Sequence, residues 1–482
     1  MTATSVILVT VDCLRADHVS FLGYDRPTTP FLDSLAAENC IFHAATAAGV
    51  PTYYSLPSIL ASRPSLSLGR DVLGIAPGEP TIASVLQDHG YRTAAFSAAN
   101  PYISARFGYD KGFELFEDFL GDEVEFTVST SESNSLNRAL DRITHRLGPL
   151  GNLYDELYFQ YCQRWATSKP VSFAQLRRFP SADIIVERAT SWLETVGDSP
   201  FFLWLHLMDP HAPYYPSPEA QELMSVPKSS PFQTRYLNSY WNRDDIGVRR
   251  LQSSRSKIVD LYDAGIRWVD AQLDRLVQAL GRLGLWENCL FALTADHGEE
   301  FLEHGGRFHA PTGLFEETLH VPLLLRIPSA KINTQVQSPF SLVHLAPTLL
   351  DAIQIQSPAE FCGRSAWEQL SSGQKLSEVA IAECIKGCTN PYWSKQRWGT
   401  RLMAIRHGFH KLIMHFDGHP DELFDLEPDP HELSPLPDEA ERNLRRELMA
   451  RAREHLANER NDLFRLRALV RDYRLEWPTS VA

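Results

Sequence analysis

The chain has 482 residues, 44% hydrophobic and 22% charged, with 31 Pro and 26 Gly, which excludes fibrous and disordered classes. Sixty acidic against 46 basic residues leave a net charge of −14, which argues against nucleic acid or an anionic membrane surface as the main partner. No apolar run approaches the roughly 20 residues of a membrane helix. Met1–Asp17 lacks a basic region ahead of its apolar run, so neither an integral membrane segment nor a signal peptide is expected. Cysteines at 13, 40, 162, 289, 362, 384 and 388 are scattered along a chain long enough to bury a core. They read as mostly reduced thiols, and a cytoplasmic location is the expectation that follows. Cys384-x-x-x-Cys388 has no second Cys/His pair at finger spacing, so it reads as thiols and not half of a zinc site.

In chain order, SVILVTV at 5–11 reads as a strand, followed by a helix over Pro30–Glu38, a helix start at Ser55–Ser62 and a strand over Tyr91–Ser97. Residues 122–180 carry amphipathic stretches (Ser135–Leu147, Tyr154–Ala166) and no strand run, which predicts a helical insertion. A strand returns at Pro200–Leu207. The Pro-, Ser- and Tyr-rich segment 212–250 reads as a loop or lid. A long helix is expected over Ser256–Leu283, feeding the strand Leu290–Thr294. The alternation of strands with helices predicts an α/β fold, a mostly parallel sheet covered by helices on both faces. After Pro347 the pattern changes to a strand-rich segment, Arg401–His415, and a charged helical tail, Pro437–Tyr473. The division expected is a catalytic α/β domain at 1–350 and a smaller α+β subdomain at 351–482.

In open α/β sheets functional groups collect past the carboxyl ends of strands. SVILVTV ends in Asp12. FFLWL ends in His206, with Asp209 and His211 behind it, and LFALTA ends in Asp296-His297-Gly298. A lone Asp at a strand end is commonly a cap or turn residue. Three strand ends carrying carboxylate and imidazole together point to a divalent cation, Mn²⁺, Zn²⁺, Mg²⁺ or Ca²⁺, without choosing among them. Between the first strands lies GVPTYYSLPSILASR, with Thr52 and Ser55 one turn apart at a helix start. Either hydroxyl serves as an N-cap or as an alkoxide nucleophile favoured by the helix N-terminus.

VTVDCLRADHVSFLGYDRPTTPFLDSLAAE, LHLMDPHAPYYP and DAGIRWVDAQLDRLVQALGRLGLWENCLFALTADHGEEFLEHG occur in this order, followed by LFEETLHVPLLLRIP, VHLAPTLLDA and ELFDLEPDPHEL. Through these blocks the chain resembles the sulfatase branch of the alkaline phosphatase superfamily over nearly its whole length, outside 122–180 and the tail after Pro437. The resemblance implies an alkaline-phosphatase-like fold, a small anionic ester substrate, and one divalent metal ion held by Asp12, Thr52, Asp296 and His297. Sulfatases oxidise the Cys or Ser of a C/S-x-P-S-R signature to formylglycine, and no such intact motif is present. Ser55-Leu56-Pro57-Ser58 matches four positions, but Ile59 replaces the Arg. Thr52–Pro57 is more similar to the nucleophile segment of lipid A phosphoethanolamine transferases, where a Thr takes up the phosphoryl group, as are the His206/His211 spacing and the placing of His309.

Thr52 is therefore the expected nucleophile. His206, His211 and His309 are assigned to the substrate's oxygens, to the leaving group's proton or to a second, weakly held ion, and Asn100 to substrate binding or a turn before Pro101. Cys13 stands where sulfatases usually carry a further metal-binding Asp, and reads as a small buried residue or a thiolate ligand. Pro311 and its neighbours occupy the region of the family's substrate-binding Lys, so His309 is expected to supply that contact. The function expected is transfer or hydrolysis of a phosphate, phosphonate or sulfate ester through a covalent Thr ester. The alternatives are a sulfuric ester hydrolase without formylglycine and a mutase or non-catalytic binding protein on the same scaffold.

Overall fold

The computed structural model describes residues 3–470, apart from 71, 122–159, 161–171, 329, 331–332, 377–378, 392–396 and 438. The helices expected at Ser135–Leu147 and Tyr154–Ala166, and Cys162, therefore lie outside the described residues, except Gln160.

The strands are, in chain order, β1 (Ser5–Val11), β2 (Cys40–Phe42), β3 (Ala45–Thr46), β4 (Arg92–Ser97), β5 (Leu115–Glu117), β6 (Phe201–Leu207), β7 (Cys289–Ala295), β8 (Glu300–Phe301), β9 (Arg307–Phe308), β10 (Leu323–Arg326), β11 (Gln335–Val336), β12 (Phe340–Ser341), β13 (Ala380–Ile385), β14 (Arg401–His407), β15 (His410–His415) and β16 (Glu422–Asp425). Eight of them form the main sheet in the order β11-β2-β10-β7-β1-β6-β4-β5. All its pairings are parallel except those of β10, which runs antiparallel to β7 and β2. β1, β6 and β7 are buried along their whole length. Strands covered on both faces need apolar side chains throughout, which is why these runs do not alternate.

The register sets the site. Val11 pairs with Leu207 on one side and Ala295 on the other, so β1, β6 and β7 end level and the residues after them leave side by side.

The 35-residue helix Val248–Arg282 packs on Pro30–Ala36 and Ala182–Leu193. The Asp270 carboxylate accepts from the backbone N–H of Phe31 and Leu32 at 3.1 and 2.9 Å, fastening the start of the Pro30–Ala36 helix. A separate helical layer is made by Thr52–Leu60 and Leu345–Ala352. Among the described residues no helix is long and apolar enough to cross a membrane.

The 212–250 segment corrects the loop reading: it contains helices at Pro218–Leu223 and Pro231–Trp241. Their Ser-Pro dipeptides are not turn signals. Ser217 and Ser230 are N-caps whose side chains accept from Ala220 and Gln233, and each Pro fills the first helical position, where no N–H is needed.

β13–β16 form a four-stranded antiparallel sheet, giving the smaller C-terminal subdomain. Leu448 and Ala452 of the Arg442–Val470 helix pack against Met403, Ile405, Leu412 and Leu423 of that sheet. Cys384 and Cys388 are buried and in no disulfide, as are Cys13, Cys40 and Cys289, while Cys362 is half-buried and likewise in no disulfide.

Candidate active site

Past the carboxyl ends of β1 and β7 the structure brings together Asp12, Asp296 and His297, all fully buried. Thr52 joins them from the first turn of its helix. That helix is capped by Pro51, with no side-chain cap, so the Thr52 hydroxyl is not spent on the backbone. Its Oγ1 lies 3.2 Å from His297 Nε2. His297 Nδ1 is 2.9 Å from the Gly298 carbonyl and donates to it, which leaves the Nε2 lone pair facing Thr52, Asp296 Oδ2 at 3.5 Å and Asp12 Oδ1 at 3.9 Å. Gly298, the last letter of D-H-G, runs so close to the Glu317 carbonyl that a Cβ would stand 2.1 Å from it.

Burial and the neighbouring Asp12 charge push Asp296 up to about 7. Asp12 is held well below the usual range: burial alone would raise it, and His211 with the hydrogen-bonded His206 outweighs that. Burial lowers His297, keeping its ring neutral. Asp296 Oδ2 is buried with no hydrogen-bond partner. Two buried carboxylates, one with an orphaned oxygen, beside a neutral imidazole lone pair form a donor set that fits a divalent cation.

Cys13 follows Asp12 in a left-handed backbone conformation, φ 61°, sparsely populated by non-glycine residues. Its Sγ is 3.2 Å from Asp12 Oδ1 and 3.4 Å from His309 Nδ1. Burial, with Glu299, Asp12 and Asp296, pushes its thiol well up, so it stands as a neutral thiol.

Two cavities meet this cluster. One of about 200 Å³ is lined by Thr52, Asn100, Tyr102, His211 and His309. A larger one of about 600 Å³ shares Pro51, His211, His309 and Thr389 with it and adds Arg178, Tyr215 and Asn238. The His211 and His309 rings lie 4.9 Å apart, as do those of His309 and His297.

His206 requires a correction. It is fully buried and lines neither cavity, because its place on β6 turns it toward β1. There its Nε2 is 3.2 Å from Asp12 Oδ2 and its Nδ1 is 2.9 Å from Thr10 Oγ1. Its ring thus contacts Asp12 and neither cavity wall. Asn100 lines the smaller cavity, but both ends of its amide are engaged: Nδ2 donates to Asp12 Oδ2 at 3.0 Å and Oδ1 accepts from Tyr102 N at 3.0 Å. Ser55 is fully buried, outside both cavities, and its Oγ has no hydrogen-bond partner.

Two residues went unread in the sequence. Thr10 orients His206 while accepting from Trp204 Nε1 at 3.0 Å. Glu299, fully buried, sits 3.6 Å from His309 Nδ1. The acidic pair after D-H-G was the only signal for Glu299.

Comparison with known proteins agrees with this architecture. A family model described as sulfatase matches residues 4–355, and one described as N-sulphoglucosamine sulphohydrolase, C-terminal, matches 303–462. Arylsulfatase K of Rattus norvegicus is 30% identical over 473 residues, covering 90% of this chain and 74% of that protein. The multifunctional alkaline phosphatase superfamily protein PehA of Trinickia caryophylli is 22% identical, covering 90% and 91%. Among solved structures, BT4656 in complex with its substrate D-glucosamine-2-N,6-O-disulfate superposes with a TM-score of 0.70 at 18% identity, covering 95% of this chain and 98% of that one. The phosphonate monoester hydrolase of Agrobacterium radiobacter gives 0.62 at 19% identity, covering 95% and 96%. On the extent of the family match, with an alkaline-phosphatase-like fold beneath it, this chain belongs to the sulfatase family of ester-hydrolysing enzymes.

Proposed function

We propose that this chain is a metal-dependent hydrolase or transferase of phosphate, phosphonate or sulfate esters in which Thr52 is the nucleophile and forms a covalent ester. The observation that carries this reading is the Thr52 hydroxyl, uncommitted to capping, open to the smaller cavity and 3.2 Å from His297 Nε2. Thr cannot become formylglycine, and Ser55 lies outside both cavities.

Asp12, Asp296, His297 and Thr52 would hold the cation. When bound, it supplies positive charge beside the nucleophile and the oxygens of the transferred group. Thr52 Oγ1, its proton lost to solvent, forms the bond to phosphorus or sulfur as the bond to the leaving alcohol's oxygen breaks, and the helix N-terminus behind it favours the approaching anion. His211 and His309, on the cavity wall, bind the transferred group's oxygens, and one of them holds the proton given to the leaving alcohol. Glu299 orients His309. His206 and Asn100 act behind Asp12, fixing its Oδ2. Water or an alcohol acceptor then cleaves the Thr52 ester and restores the hydroxyl. The larger cavity, with Arg178, Tyr215 and Asn238, takes the alcohol portion of the substrate.

The absence of a formylglycine precursor favours phosphoryl transfer. The relation to arylsulfatase K over 90% of the chain favours sulfate as the second reading. The test is turnover of aryl sulfate, phosphate mono- and diester and phosphonate ester by the full chain with Mn²⁺, Zn²⁺, Mg²⁺ or Ca²⁺, with mass spectrometry of peptide 50–63. An adduct on Thr52 and no aldehyde are expected. No turnover under any condition, or an adduct on Ser55, refutes the proposal.

A further inference from the structure

Apart from the catalytic cluster, the described residues hold a second group of ligating side chains, where the catalytic domain meets the C-terminal sheet. His304 lies in the turn between β8 and β9, Glu317 in the short Glu316–Leu319 helix and Glu432 beyond β16. One ligating atom from each lies within 4.8 Å of the others. His304 Nε2 is 3.4 Å from Glu317 Oε2. Bonds of about 2.1 Å to a tetrahedral ion place neighbouring donors at about 3.4 Å, so that pair is already spaced as two ligands would be.

Glu317 is 3% exposed, yet neither of its carboxylate oxygens has a hydrogen-bond partner, and His304 Nε2 has none either. A buried carboxylate left in this state is costly. The His304 and His431 rings face it at 3.4 and 3.7 Å and Arg15 lies within electrostatic reach, yet none of them hydrogen-bonds its oxygens. Lys411 is shared between Glu316 at 2.9 Å and Glu432 at 2.8 Å, and Arg406 pairs with Glu316. Glu300, 2% exposed, adds an orphaned Oε1 beside the same group. The His304 ring is stacked on Phe315, 3.5 Å between centroids and 6° from parallel, which fixes its edge toward the acids.

We propose that His304, Glu317 and Glu432 form a structural site for a divalent cation of the Zn²⁺ or Mn²⁺ class, distinct from the catalytic one. One imidazole and two carboxylates suit such an ion better than Ca²⁺, which takes oxygen ligands only. His431, with Nδ1 3.7 Å from Glu317 Oε1, or a water, completes the shell. The ion ties the β8–β9 hairpin to the C-terminal sheet. Because β9 runs directly into His309, it steadies the hairpin that carries a proposed catalytic residue.

The experiment starts from the full chain carrying Asp296→Ala and His297→Ala, so that the result does not depend on the catalytic site. This protein is stripped with a chelator, dialysed against Zn²⁺, Mn²⁺ or Ca²⁺ in turn, and read by elemental analysis and thermal melting. Retention of Zn²⁺ or Mn²⁺ with a raised melting temperature is expected. Adding Glu317→Gln should remove about one equivalent of metal and the associated rise. His304→Gln, at a partly exposed ring, serves the same purpose should the Glu317 variant fail to fold. Metal content and melting unchanged by either substitution, or no metal-dependent rise in the starting protein, overturns the proposal and leaves the cluster an imidazolium–carboxylate ion pair.

Discussion

Replacing Thr52 with Ala separates the nucleophile from the scaffold that presents it. The side chain is 4% exposed, so the change removes one buried methyl, worth about 0.8 kcal/mol, and one hydrogen bond to His297, worth about 1 kcal/mol. No cap is lost, because Pro51 occupies that position. A total near 2 kcal/mol is small beside the roughly 5–15 kcal/mol of an ordinary domain, so the variant should fold. Its chemistry should not survive. Loss of the covalent route is expected to lower kcat/KM by at least roughly 10³-fold, about 4 kcal/mol of barrier. Ser55→Ala is the control: it deletes a hydroxyl with no hydrogen-bond partner, a change close to neutral for stability, and should retain most activity. Thr52→Ser keeps the nucleophilic atom and should fall between them, with the adduct now on Ser. The assay is kcat/KM on the best ester found, with thermal melts of each variant. Equal losses at Thr52 and Ser55, or full activity of Thr52→Ala, would show that the wrong residue of the helix was chosen.

Asp296→Ala should abolish metal binding at the catalytic cluster; elemental analysis showing wild-type content in that variant would show the ligand set to be misassigned. His211→Ala and His309→Ala should each lower kcat/KM by roughly ten- to ten-thousand-fold with little change in melting temperature. If either variant instead unfolds while its folded fraction keeps full specific activity, those residues are structural. Glu316 supplies a pH test. Burial would raise its carboxyl, but Arg406 and Lys411 hold it well below its ordinary value of 4.5. A folded pKa below the unfolded one gives stability that is present above pH 4.5 and lost as the pH falls below it. Glu316→Gln should therefore cost roughly 3–5 kcal/mol at neutral pH and flatten the acid limb of the stability curve. Parallel acid limbs for variant and wild type would contradict this.

What could be read from the sequence follows from which side chains a parallel sheet exposes to chemistry. β1, β6 and β7 are buried on both faces, so their apolar runs are conspicuous and the residues after them, Asp12, Asp296 and His297, stand out by contrast. His206 sits within β6 and not beyond it. Only the register, which sets Thr10 beside it, turns its ring toward Asp12, and register is not visible in one strand alone. The same limit hid Thr10, whose partner His206 is far away in the chain, while Glu299 meets His309 only through the fold of the β8–β9 hairpin between them. The Pro218–Leu223 and Pro231–Trp241 helices were masked by Ser-Pro pairs, which begin helices as readily as they break them. The antiparallel β10 was equally unreadable, since its LLLR run is as apolar as its parallel neighbours.

Two of the departures from the resembled sulfatase pattern, Thr52 and Cys13, belong together on electrostatic grounds. A carboxylate at position 13 would join Asp12 and Asp296 and leave a divalent ion's immediate surroundings net negative. Were Cys13 to stay a protonated thiol beside the bound ion, two carboxylates would balance the ion and more of its field would reach the nucleophile and the transferred group. A hydroxyl, weakly acidic by itself, depends on that field. Cys13→Asp tests the idea without disturbing the backbone, because Asp tolerates φ 61° better than Cys does. The variant should hold its cation more tightly under competition with a chelator, yet turn over more slowly, with kcat lower by roughly tenfold, about 1.4 kcal/mol. Tighter retention with kcat unchanged or raised would show that the thiol is there for its size and that its lack of charge has no bearing on Thr52.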